Sequence, residues 1–391
     1  MLDFQWFSLI VFFVLLTSLV VYKRKSIEIQ KMLFPVVYAG LYRSNFGLNF
    51  INKFSGKYNV WVKLFGYCSV GFGFAGLVAM VFGIIYSLFV VFTVPSAPSS
   101  VGLLLPQTNI PGLGFLPFWY WIIALFVIVL VHEFSHGIVA KAHGLSIKSS
   151  GLGFFSFFLP VIPVAFVEPD ETGIEKAPDI VQYSIFSAGP FSNILTALLV
   201  FIVFSFVFSP VDRIVSEPAG FSFSKINSSY PAFSLPGGLV VSRFNGRVVN
   251  DLNDFYLGLY CVAPGSLVSI GNSTHNFSIS TVSAPDNEKM AFIGVNNLKN
   301  VRSVKPGFSL FYPFYVWLRG LVKWIGWLSL FVGTANLLPI GPIDGGRMIK
   351  VLSSKVIKDR AKAKRRWVSV SLLVIALILL SFLWPLVKKL F

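Results

Sequence analysis

Charge is what this sequence has least of. Only 12% of its residues are Asp, Glu, Lys or Arg and 55% are hydrophobic, with a mean hydropathy of +0.75. Soluble globular chains carry about 25% charged residues, so a soluble domain is excluded and a polytopic membrane protein remains. Acids are the scarcer sign, 16 against 32 Lys and Arg, for a formal net charge of +16. That excess does not read as a nucleic-acid footprint, because the bases cluster in two short segments that flank apolar runs. Such clusters mark cytoplasmic loops. Cysteine occurs twice: Cys68 falls in an apolar run and Cys261 in a polar region, so no disulfide framework is expected. A basic start and a small-residue cleavage site are both missing from the N-terminal run, residues 4–22, which reads as a retained anchor.

What is present is long apolar segments in order. Residues 4–22 form the first expected span. Residues 23–63 hold eight Lys and Arg against one acid, Glu28, which puts this loop in the cytoplasm and the N-terminus outside. Residues 64–93 form a second span, with Gly71, Gly73 and Gly76 allowing close helix contact. Residues 94–116 read as an external loop rich in Pro, Gly and Ser. A third span runs from Pro117 to about His143, with Trp119, Tyr120 and Trp121 as an interfacial anchor. Residues 149–167 are uncharged but broken by Gly151, Gly153, Pro160 and Pro163, so strands or a re-entrant loop are expected. Residues 180–211 supply a fourth span. Residues 212–305 carry six acids, eight bases and turn signals such as Asn245-Gly246, and read as a small, mainly β, extracytoplasmic domain. Its three sequons, at Asn227, Asn272 and Asn276, agree with that side. Residues 307–338 contain Arg319 and Lys323 and divide into an interfacial amphipathic piece and a span from Leu321 to Pro339. Residues 347–366 hold nine bases against Asp359, and residues 367–384 form the last of six spans.

The expected domains are therefore 1–116 (two spans and their basic loop), 117–211 (first part of a core), 212–305 (inserted domain), 306–350 (second part of the core) and 351–391 (basic loop and last span).

One stretch organises these segments. Val131 to Ala140 reads VHEFSHGIVA, and no charged residue occurs between Lys63 and His132. His132 and His136, four apart, share one helix face and can hold a single zinc ion, with Glu133 placed as general base toward a water. A hydrolytic zinc takes three protein ligands. Asp344, in Gly341-Pro342-Ile343-Asp344-Gly345-Gly346 at the end of a span, is the best candidate for the third; its alternative is a helix-terminal acid at the interface. His143 reads as interfacial and His275 as a surface residue. Asn193, polar within an apolar span, reads either as a helix-to-helix hydrogen bond or as part of a site.

These residues resemble the site-2 protease family of intramembrane zinc metalloproteases. His132, Glu133 and His136 match its first motif, with Ser135 where many members have glycine. Asn336 through Gly346 match its second motif in spacing, with Gly341 and Ile343 in place of the commoner Pro and Leu. Pro163 to Glu168 is similar to the family's membrane-embedded strands, and Ala188-Gly189-Pro190 with Asn193 to its next helix. Residues 236–249 look like part of a PDZ domain, so the insert is PDZ-like by resemblance.

The resemblance implies Asp344 as third ligand, one zinc per chain, Asn193 as a stabiliser of the oxyanion, and residues 149–168 as a platform for an unwound substrate. The implied activity is peptide-bond hydrolysis within or near the transmembrane segment of single-span proteins, with the insert screening what enters. The implied location is a prokaryotic plasma membrane with the site near its cytoplasmic side. A metal-regulated transporter and an inactive binding homologue are the rival readings. Against them stand an intact Glu133 and the lack of a repeat of the transporter type.

Overall fold

The computed structural model describes residues 2–33, 37–45, 47–94, 102, 104–157, 159–285 and 287–387. Its helices are α1 (Leu2–Tyr22), α2 (Leu48–Lys57), α3 (Asn59–Thr93), α4 (Phe118–Ala142), α5 (Glu171–Lys176), α6 (Asp179–Val203), α7 (Ser209–Val215), α8 (Leu252–Tyr260), α9 (Tyr312–Ala335), α10 (Asp344–Val356) and α11 (Arg360–Val387). Among the described residues, five helical segments are long and apolar enough to cross a membrane: Asn59–Thr93, Phe118–Ala142, Asp179–Val215, Tyr312–Ala335 and Arg360–Pro385. Helix α1 adds a further apolar stretch over Phe7–Tyr22. The chain is thus an integral membrane protein of the polytopic helical class with several small sheets. It divides into two compact units, one of Met1–Ile202 with Gly320–Phe391 and one of Val203–Arg319.

In lipid, apolar helices gain little by hiding apolar side chains from one another, so their seams need small residues and interhelical hydrogen bonds. The seam between α3 and α6 is built this way. Gly66 and Gly73 lie against Ser184 and Ser187, and the Ser69 and Ser187 hydroxyls share a 2.6 Å hydrogen bond. Gly76 is closed over by Leu337, whereas Gly71 faces open space and takes no part in a close contact. Helix α11 is tied to α3 by the hydroxyls of Ser87 and Ser381, 3.0 Å apart. Helix α4 is packed at both ends. Phe118, Trp121, Ile122 and Ile128 cluster with Trp324 and Leu328 of α9. Val139, Ala140 and Ala142 cluster with Tyr183, Ile185 and Phe186 of α6 and with Met348 of α10.

Residues 307–338 do not divide as the sequence suggests. Helix α9 is continuous, because its two cations are satisfied where they stand. Arg319 pairs with Asp212 at 3.2 Å, and Lys323 donates to the Leu113 carbonyl.

The first unit also holds a four-stranded antiparallel sheet. Strands β1 (Ile27–Leu33) and β2 (Val37–Ser44) form a hairpin inside the basic segment that charge alone reads as a plain loop. Strands β3 (Thr108–Ile110) and β4 (Gly114–Leu116) form a separate small hairpin in the expected external loop, of which residues 95–101 and 103 lie outside the described residues. Strands β5 (Ile147–Phe157) and β6 (Leu159–Pro169) form a hairpin where strands or a re-entrant loop are expected from the sequence, and the sheet runs in the order β1-β2-β5-β6. One polar cluster crosses all four strands. Arg43 of β2 donates to Glu28 of β1 and to Ser149 of β5 at 2.9 Å each, and also to Glu168 of β6, which accepts from Ser149 at 2.7 Å.

The second unit is mainly β. Strand Ser216–Lys225 pairs with Val295–Val304, and Leu267–Gly271 pairs with Asn276–Ser280, around a core that includes Phe221, Val241, Phe255 and Ile270. Helix α8 opens on Asp251, whose carboxylate accepts from the N–H groups of Asn253 and Asp254.

Replacing Arg43 by Met removes a side chain whose cluster joins all four strands. This partly exposed cluster is worth about 1 kcal/mol after solvent screening. Amide exchange in β5 and β6 is expected to quicken roughly fivefold, with helix α4 unaffected, as read by hydrogen-exchange mass spectrometry.

Candidate metal centre

Three elements bring the candidate ligands together. His132 and His136 sit one turn apart on α4, and their rings meet edge to face with centroids 4.7 Å apart. Asp344 is the first residue of α10 and is delivered by a tight turn from Asn336 to Ile343. The turn is held by the Gly345 N–H, which donates to the Asn336 carbonyl at 2.7 Å, and by the Gly341 N–H, which donates to Ser371 of α11 at 3.0 Å. Side chains at 345 and 346 would strike the carbonyls of Leu337 and Ile340, so Asp344 has to be followed by Gly-Gly. Helix α6 forms the third wall.

The donor atoms form a small buried triangle. His132 Nε2 lies 3.0 Å from Asp344 Oδ2, His136 Nε2 lies 3.4 Å from Asp344 Oδ1, and the two Nε2 atoms are 3.1 Å apart. In a tetrahedral site with donors about 2.0–2.2 Å from the ion, neighbouring donors stand roughly 3.3–3.5 Å from one another. The three spacings, one to each Asp344 oxygen and one between the imidazoles, come within a few tenths of an ångström of that size. The triangle is also a poor arrangement without a cation, since two imidazole nitrogens and a carboxylate crowd one point away from water.

The second ring nitrogens matter as much. His136 Nδ1–H donates to the Ile185 carbonyl at 2.6 Å, which leaves its Nε2 lone pair for an ion. His132 Nδ1 faces the Asn193 side chain, with Nδ2 at 3.1 Å and Oδ1 buried without a partner. The two orientations of an amide fill the same space. Turning it lets His132 Nδ1–H donate to Oδ1, which also frees the Nε2 lone pair of His132. The orphaned oxygen thus fits a metal-loaded site. The donor set, two neutral imidazoles and a carboxylate, suits zinc.

Glu133 lies between the histidines on α4 and forms no hydrogen bond or ion pair with a described residue, so its carboxylate is available. His143 is not part of the cluster. Its Nε2 lies 3.3 Å from the Ser184 hydroxyl, and burial, then the nearby Lys63 ammonium, hold it below its ordinary pKa. His275 is an exposed residue of the second unit.

Two parts of the site were not read from the sequence. Ser371 is a polar residue in the last span, and its position among Val and Leu was the available signal. Gly189 is the other. A methyl group there would lie 2.7 Å from His132 Nε2 and closer still to His136 Nε2. Gly189→Ala is expected to lower metal affinity about 10- to 100-fold, the usual effect of disturbing a ligand's surroundings. Gly71→Ala, in open space, is expected to leave metal content unchanged. Elemental analysis after dialysis against a graded chelator separates the two.

Comparison with known proteins agrees with this geometry. The profile of peptidase family M50 matches residues 120–380, about two-thirds of the chain. An uncharacterised protein of Methanocaldococcus jannaschii is 27% identical over 343 residues, covering 84% of this chain and 80% of its own length. A Clostridium perfringens protein named as a candidate zinc metalloprotease is 21% identical over 311 residues, covering 62% of this chain and 89% of its own. The extent of the profile match, across the histidine pair, the α6 wall and the Asp344 turn, places the chain in peptidase family M50, the site-2 protease family of membrane metalloproteases.

Proposed function

We propose that this protein is an intramembrane zinc endopeptidase that cuts single-span membrane proteins within or near their transmembrane segment. The observation that carries this reading is the convergence of His132, His136 and Asp344, all buried and with donor atoms within 4.8 Å, among helices apolar enough to span a bilayer. Ionisable groups at such depth are costly and are retained where they do chemistry. Family membership adds peptidase chemistry, which the transporter alternative does not account for.

His132, His136 and Asp344 would hold one zinc ion. Bound there, zinc supplies Lewis acidity and a water acidic enough to ionise near neutral pH. Glu133 takes the proton of the attacking water and returns it to the leaving amine. Ile185 and Asn193 orient the two imidazoles. The turned Asn193 amide also leaves Nδ2 without a partner, which is the donor that an oxyanion role asks for.

The substrate has to be extended, because the peptide bonds of an intact helix are sterically hidden. Edge strand β6 suits an extended partner, which would gain backbone hydrogen bonds that lipid cannot give. Pro160 and Pro163 lack N–H groups, so pairing is confined to residues 164–168. That segment carries Val167, which packs at Gly137, the residue after His136. Helix α1 is assigned as the sixth span, the basic loops to the cytoplasm and the second unit, read as PDZ-like, to the outside of a prokaryotic plasma membrane. Charge bias of the loops supports that orientation.

The test is zinc content alongside cleavage of a synthetic single-span substrate in detergent. Glu133→Gln is expected to keep about one zinc per chain and to lose cleavage by 10²–10⁴-fold, the scale of a general base. Asp344→Asn is expected to weaken zinc retention as well as cleavage. Cleavage persisting in Glu133→Gln would overturn the mechanism. Asn193→Ala is expected to cost 10- to 100-fold in zinc affinity, a readout independent of turnover.

A further inference from the structure

A second polar cavity lies away from the metal centre. It measures about 960 Å³ and is bounded by α5 and the start of α6 on one side and by α10 and the start of α11 on the other. Its charges are unevenly matched. Three acids line it, and each has a cation: Glu171 pairs with Arg347, Glu175 with Lys350 at 3.0 Å and Asp179 with Lys355 at 2.7 Å. Four further lining cations, Lys176, Lys358, Arg360 and Lys364, form no ion pair with a described carboxylate. Asp359 forms no ion pair with a described cation; its Oδ1 accepts from the N–H groups of Ala361 and Lys362 at the head of α11.

The arrangement on α11 is directional. Arg360, Lys364 and Trp367 follow an i, i+4, i+7 spacing, so two cations and an indole lie along one stripe facing the cavity. The indole N–H of Trp367 is buried and has no acceptor. Beyond Trp367 the helix continues as an apolar span. Lining residues Phe186, Val351 and Ala363 give the cavity an apolar floor.

We propose that this cavity is a phosphate-binding site. Its lining cations would hold the phosphoryl oxygens. The phosphate belongs either to the headgroup of an anionic phospholipid, whose chains would follow the apolar part of α11, or to a soluble phosphate. Basic pockets between helices at a membrane surface are suited to anionic headgroups, with about a fivefold gain for each cation. The site lies on α10, the helix that begins with Asp344, so its occupant would steady the element that carries the third ligand.

The test uses the full-length protein in detergent with added phosphatidylglycerol or phosphatidylcholine, and native mass spectrometry to count retained lipid. Arg360→Gln with Lys364→Gln is compared with Arg365→Gln with Arg366→Gln, the same charge change at positions that do not line the cavity. If the source is lipid, phosphatidylglycerol is retained over phosphatidylcholine, and the 360/364 pair weakens this about thirtyfold while the 365/366 pair does not. If the source is soluble, inorganic pyrophosphate binds the wild type by calorimetry and the 360/364 pair abolishes that heat. Unchanged zinc content and melting temperature confirm that the variants are folded. Equal losses from both pairs, or no phosphate ligand of either kind, would overturn the site.

Discussion

Burying two imidazoles and a carboxylate at one point is the constraint on which the first unit depends. Each group is expensive in an apolar setting, and the three together repel unless a cation is shared. The fold meets this by fixing the second atom of each ligand. Ile185 takes the outer N–H of His136, the Asn193 amide faces that of His132, and the turn before α10 leaves Asp344 little freedom. Helix α6 is therefore more than a neighbour. It supplies a carbonyl, an amide and, at Gly189, the space in which both rings stand.

The tie reaches further than the ligands. Helix α9 holds α6 through Ser329, which donates to the Asn193 carbonyl at 2.9 Å, and α11 holds the Asp344 turn through Ser371. Two serines thereby connect distant spans to the centre. In a soluble protein such contacts compete with a large apolar core. In a bilayer they are among the few interactions that fix helix rotation.

How much of this was legible follows from the range of each signal. The histidine pair was readable because a four-residue spacing on a helix is local. That β5 and β6 are not helical was readable from their prolines and glycines, but their pairing as a hairpin was not, since a re-entrant loop fits the same residues. Asp344 lies some 200 residues from the histidines, so spacing alone left it a candidate and only the motif resemblance chose it. Strands β1 and β2 were missed although Ile27, Glu28, Ile29 and Gln30 alternate as a strand should, because the excess of Lys and Arg was read as a loop. The role of Gly189 was not legible at all. A glycine in an apolar helix looks alike whether it faces open space, as Gly71 does, or two imidazoles.

The same contrast explains why the basic end of the first unit is structured. A loop that only marked the cytoplasmic side would need charge and nothing more. Instead the acids of α5 and α6 are matched one to one with cations of α10, which registers α10 against α6 a few residues beyond Asp344. Arg347 also lies over the Phe186 ring at 4.6 Å, next to the carbonyl that orients His136. The row of ion pairs and the ligand triangle therefore act on the same two helices from adjoining positions. A shift of α10 by one pair would move the Asp344 carboxylate by several ångströms, which is more than the triangle tolerates.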